Sequence, residues 1–175
     1  MERSKLLFAV AGILLLVVVL FYGWRWFSSS PRERSADELA QAALGASTPE
    51  ERATAAAELI ARGWPALQQM QRVVRESKVP EVRAMMIQGL SGQRDYDSMP
   101  VFLDGLDDPA LVVRVRSAAA VRRIECFDAE YQPEDPPEKR QPAVKALRDN
   151  WERLRNAPGF ARARATLIES RQNSQ

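Results

Sequence analysis

The chain has 175 residues, 46% of them hydrophobic and 27% charged, with 25 Lys and Arg against 23 Asp and Glu. That length holds one domain of ordinary size and an extra segment. With no histidine and a single cysteine, Cys126, it excludes Ser-His and Cys-His catalysis, histidine-ligated metals, cysteine metal clusters and any intramolecular disulfide.

The extra segment comes first. From Leu6 to Trp24 no residue is charged over 19 positions, roughly 28 Å of helix and about the thickness of the hydrocarbon layer. Arg3 and Lys5 precede it. Tyr22, Trp24, Arg25 and Trp26 close it as an aromatic and basic interfacial anchor. A cleaved secretory signal would carry a shorter apolar core and a small-x-small cleavage site, whereas Tyr22-Gly23-Trp24-Arg25-Trp26-Phe27 is bulky throughout. Residues 1–27 are therefore read as an uncleaved transmembrane anchor, and residues 28–34 as a short polar linker. Basic residues flank the apolar run on both sides and do not orient it. The short N-terminal tail places the N-terminus in the cytoplasm and the soluble domain on the outer, periplasmic side.

From Pro31 onward there are 22 Lys and Arg and 22 Asp and Glu. A balanced domain lacks the concentrated basic face that nucleic acid requires. Ser35 with Glu38 forms a capping-box pattern that opens a short helix through Leu44, which Gly45 ends. Thr48-Pro49-Glu50-Glu51 starts the next helix with a cap, an N-terminal proline and acids facing the helix dipole; it runs to about Arg62 with Gly63 as its stop. Trp64-Pro65 leads into a partner helix whose Leu67, Met70, Val73 and Val74 mark one buried face. Pro80 to Leu90 opens the second pair, and a helix capped by Asp97 or Ser98 completes it with Val101, Phe102, Leu103 and Leu106. Asp108-Pro109 opens the third, through Ile124. A proline-interrupted acidic loop, Cys126 to Pro137, delays the final partner, Glu138 to Arg155, whose Val144, Leu147, Trp151 and Leu154 share one face. Ala157-Pro158-Gly159 separates it from a last helix, Phe160 to Ser170. No segment shows strand alternation.

These elements recur. Arg52, Arg83 and Arg114 lie 31 residues apart, each followed four residues later by Ala56, Ile87 or Ala118 and seven later by Leu59, Leu90 or Val121. A fixed period of this length is the signature of stacked helical repeats. The prediction is an all-α chain: an N-terminal transmembrane helix followed by a short α-α superhelix over residues 35–172, with repeats at about 47–77, 78–107 and 108–156 and terminal caps at 35–45 and 160–172.

The Asp108-Pro109 start with Val113-Arg114 and Ala118, echoed at Pro80, Val82 and Arg83 and more loosely at Pro49 and Arg52, resembles the short form of HEAT repeats over residues 47–156. The acidic loop with Arg140-Gln141-Pro142-Ala143-Val144 and Trp151 is similar to the tail of HEAT-repeat proteins in some bacterial envelopes. The resemblance implies a non-catalytic scaffold that binds a protein partner, here at the bilayer. The same short repeat also occurs in phycobilin lyases, so the rival expectation is a chromophore- or cofactor-attachment factor.

Each chemical candidate has a plainer reading. The ladder of Arg52, Arg83 and Arg114 is expected to be structural, bonding carboxylates or helix-end carbonyls of a neighbouring repeat, with Glu81, Asp107 and Asp108 as candidate acceptors. The acidic residues Glu125, Asp128, Glu130, Glu134 and Asp135 are read as a solvated loop or as a contact for a basic protein partner. A calcium loop is disfavoured by Pro133, which stands where the turn of an EF-hand needs glycine. Arg153, Arg155, Arg162, Arg164 and Arg171 are read as solvated helix surface. Trp64 and Trp151 are read as packing residues, and Cys126, beside carboxylates, as an unactivated thiol. No catalytic residue, metal, cofactor or small-molecule substrate is expected.

Overall fold

A computed structural model describes residues 33–125 and 130–172. The chain divides into two units, Met1–Arg34 and Ser35–Gln175, and the architecture below is that of the second. The predicted membrane anchor, with Tyr22, Trp24, Arg25 and Trp26, lies outside the described residues. Among the residues described, no helix is long and apolar enough to cross a membrane.

The described chain is all helical, with eight α-helices, two short 3-10 turns and no strand. Ser35 opens α1 (Ala36–Gly45): its hydroxyl accepts from the Glu38 amide at 3.2 Å while its own amide donates to the Glu38 carboxylate at 2.7 Å. This is the predicted capping box, two orphan donors satisfied reciprocally. Helix α2 (Pro49–Ala61) starts on the Thr48 hydroxyl, which accepts from the Glu51 amide. Gly63, at a φ of 63°, turns the chain into a 3-10 turn at Trp64–Ala66 and then α3 (Leu67–Glu76). Only glycine takes that conformation without a steric penalty. Helix α4 (Pro80–Gly92) is followed by a 3-10 turn at Tyr96–Ser98 and the short α5 (Met99–Gly105). The remaining helices are α6 (Leu111–Glu125), α7 (Pro137–Arg155) and α8 (Phe160–Gln172).

Two helix starts differ from expectation. Neither Asp97 nor Ser98 caps α5 through its side chain. The Ser98 hydroxyl donates instead to Asp95 at 2.8 Å and accepts from Gln71 of α3 at 3.0 Å, a buried polar link between neighbouring pairs. Pro109 is not the first residue of α6, which begins two residues later at Leu111. The Asp108 carboxylate accepts from the Ala110 amide at 2.9 Å, so it closes a turn ahead of the helix.

Helices α2, α4 and α6 pack side by side in chain order, and α1, α3, α5 and α7 form a second row against them. The pairing between the rows differs from the predicted one: the closest neighbours are α1 with α2, α3 with α4 and α5 with α6, each across a predicted repeat boundary, while α2 and α3 touch little. The apolar stripes meet between the rows, where Leu39, Leu59, Met70, Ile87, Leu90, Phe102, Leu106 and Val113 are fully buried. Burying one such aliphatic side chain contributes about 1.5–3 kcal/mol, so this seam supplies most of the driving force.

Candidate functional site

The repeated arginine is the best-defined constellation in the domain. Arg52 Nη1 donates to the carbonyl of Ala46 at 2.6 Å, Arg83 Nη1 to Ser77 at 2.9 Å, and Arg114 Nη1 to Asp108 at 2.8 Å. The acceptor lies six residues upstream in every case. It belongs to the turn just before the arginine's own helix, where backbone carbonyls have no helical partner. Each guanidinium thus staples its helix to the turn that delivers it.

The second contact differs from rung to rung. Arg83 reaches the next repeat and holds Asp108 bidentately, Nε to Oδ2 at 2.8 Å and Nη2 to Oδ1 at 2.7 Å, with both side chains nearly buried. A planar fork on a carboxylate fixes orientation as well as distance. Arg114 has no further repeat to reach, and its Nε donates to the carbonyl of Pro133 at 2.7 Å. The Nε of Arg52 is buried without a partner. Ser77 stands at the position that Asp108 occupies one repeat later, and its hydroxyl accepts from the Val79 amide as Asp108 accepts from Ala110. A serine there is too short to carry the bridge. Of the expected acceptors, Asp108 is engaged; Asp107 and Glu81 are exposed and hold no arginine.

The acidic segment is more structured than a loop reading suggests. Tyr131 is 3% exposed, and its hydroxyl donates to the carbonyl of Leu106 at 2.6 Å. Pro133 takes Arg114, and the carbonyls of Tyr131 and Asp135 take Arg122 and Arg140. The described part of the segment therefore closes the end of the core at Tyr131 and leaves Leu111, Val112 and Val115 of α6 exposed. Its carboxylates Glu130 and Glu134 point to solvent, and Asp135 is half-buried. Asp128 lies outside the described residues, as do Cys126 and the side chain of Glu125.

Burial raises the Tyr131 phenol above its ordinary value, with the nearby Arg140 and Arg114 opposing the shift. A phenol that ionises later in the folded state contributes stability that is intact below about pH 10 and lost as pH rises beyond it. Tyr131→Phe is expected to cost about 1–3 kcal/mol at neutral pH, because the Leu106 carbonyl loses its donor. It also flattens the fall in stability above about pH 10. Urea unfolding from pH 7 to 11 measures both effects.

Two open grooves are formed by described residues. One, of about 380 Å³, lies on the outer side of α2 and α4, with Ile60, Met85, Gln88, Gly89, Gly92 and Gln93 as its lining. Within it Gly89 lets α4 lie directly against Ile60 of α2: a Cβ there would stand 2.7 Å from Ile60 Cγ1. The other, of about 330 Å³, surrounds Tyr96, Trp151 and Phe160. Phe160 meets Tyr96 and Trp151 edge to face at 5.3 and 5.4 Å, and Arg164 forks onto Asp97. This cluster docks α8. The pairing raises the Arg164 pKa, through its hydrogen bond to Asp97 first and charge attraction second. Trp151 is buried and Trp64 half-buried. The lining of the first groove carries no charge and that of the second carries Arg155 beside the Asp97–Arg164 pair, and among the described residues no three potential ligands cluster to hold a metal.

Compared with protein families, curated proteins and solved structures, the chain finds no match.

Proposed function

We propose that the chain is a membrane-anchored, non-catalytic scaffold: a short HEAT-like α-solenoid that binds a partner protein at the bilayer surface. The observation that carries this reading is the arginine staple, made by the same atom to the same relative carbonyl at a constant interval in three successive helix pairs. Repeats tied by nearest-neighbour bonds form a stiff surface with little to lose on binding. The outer faces of α2, α4 and α6 line up in register: exposed Thr54, half-buried Met85 and exposed Arg116 occupy equivalent places, as do exposed Ala57, Gln88 and Ala119. The uncharged positions of α2 and α4 in this row, Thr54, Ala57, Met85 and Gln88, leave room for a partner to approach. The exposed acids Glu130 and Glu134 offer a contact for basic groups at its rim. The uncharged run of residues 6–24 is read as the anchor, with the domain on the outer side of the membrane. Confinement to the bilayer raises the effective concentration of a membrane-bound partner without any new contact.

Site-specific photo-crosslinking of the full chain in intact membranes tests this. A crosslinker at Gln88 or Glu134 is expected to trap one defined protein, while the same group at Gln68 of α3 traps none. Uniform labelling from all three positions, or a pigment that copurifies with the chain and absorbs visible light, contradicts the proposal.

A further inference from the structure

We propose that the free edge of α6 pairs with α6 of a second copy of this chain, antiparallel about a two-fold axis. The edge is built like an internal helix contact. In α4, Gly89 meets Ile60 of α2. At about 100° per residue, Ala84 and Ser91 therefore lie on the opposite flank of α4, toward α6. Both are buried, at 4% and 6% exposure. The residues one repeat on, Val115 and Arg122, occupy the same flank of α6, which no further helix of its row follows among the described residues. Val115 is 40% exposed there, beside Leu111 at 44% and Val112 at 41%, the exposed large hydrophobics among the described residues. Of the described residues after α6, Pro133 and Tyr131 bond this helix through their carbonyls, to Arg114 and Arg122.

The charges identify the occupant. Arg116 and Arg123 are exposed on α6 and make no ion pair or hydrogen bond with the described residues. The Asp107 carboxylate, at the turn before the helix, is likewise exposed and unpaired. An acidic helix from another protein, or an anionic bilayer, would satisfy the arginines and set Asp107 against like charge. A second copy supplies both signs. When Leu111 of one copy lies on Val115 of the other in antiparallel register, the turn that carries Asp107, just ahead of α6, comes beside the half of the second copy's α6 that carries Arg116 and Arg123. The two-fold axis repeats each contact, so the interface is self-complementary, and the antiparallel helix dipoles attract. This inference does not rest on the partner-binding reading: loss of self-association would leave crosslinks from Gln88 or Glu134 intact.

Sedimentation equilibrium of the full chain in density-matched detergent tests the pairing. Wild type is expected to show a concentration-dependent monomer–dimer equilibrium. Val115→Glu weakens it at least about tenfold with helical content unchanged. Asp107→Arg also weakens it, and Asp107→Arg combined with Arg123→Asp restores most of the loss. A monomer at every concentration overturns the proposal. So does a dimer that Val115→Glu leaves at full strength, or a charge exchange that fails to restore association.

Discussion

Replacing Asp108 by alanine is expected to lower the unfolding free energy by about 3–5 kcal/mol, the cost of leaving one member of a buried ion pair without its partner. Asp108 carries three hydrogen bonds, two from Arg83 across the repeat boundary and one from the Ala110 amide at the start of its own. The side chains of Arg83 and Asp108 keep only 13% and 12% of their exposure, so water does not replace the lost contact. Arg83→Ala should cost a comparable amount. Arg52→Ala should cost only about 1 kcal/mol, the net worth of one ordinary hydrogen bond, because this rung makes one bond, to Ala46, and bridges no further repeat. Urea unfolding of the full chain in detergent, followed by helical signal, orders the three variants. Equal losses at Arg52 and Arg83 would show that the carboxylate bridge adds nothing.

A methyl group at Gly105 should be nearly as damaging. Gly105 ends α5 where it crosses α6, and a Cβ there would overlap Ser117 Oγ and approach Ser117 Cβ to 3.1 Å and Ile87 Cδ1 to 3.4 Å. Overpacking of this kind costs about 1–3 kcal/mol, since neither helix can withdraw without opening the core. The Ser117 hydroxyl is buried without a partner, so Ser117→Ala alone should be neutral or slightly stabilising. Together with Gly105→Ala it should recover part of the loss, leaving a coupling of about 1 kcal/mol in the double-mutant cycle. Strict additivity would place the strain elsewhere.

The helices and their order were legible because period and punctuation agree. Thr48-Pro49 and Ser35 with Glu38 cap the helices they predict. The 31-residue return of arginine identifies residues that share one geometric role. Asp108 stood among three candidate acceptors, but nothing in the sequence singles it out from Asp107 and Glu81 or assigns it to Arg83. The contacts of the acidic segment were not legible either. Proline and acid content describe a loop correctly but do not show that Tyr131 plugs the end of the core, which depends on where Leu106 lies in space. Gly89 and Gly105 read as weak points of helices, and only the packed rows show that each admits a neighbour's side chain. The open edge of α6 was hidden for a related reason. A valine or leucine on an amphipathic helix reads as core, and exposure appears only when the row is seen to end.

Amide hydrogen exchange of wild type and Asp108→Ala decides whether the arginine staples make one cooperative stack. If successive pairs are coupled through this bridge, removing Asp108 raises exchange in both α4 and α6, while α1 and α2 change little. Loss of protection confined to the turn around Ala110, with α4 unaffected, would show that the pairs are independent and that the repeated bond is only local.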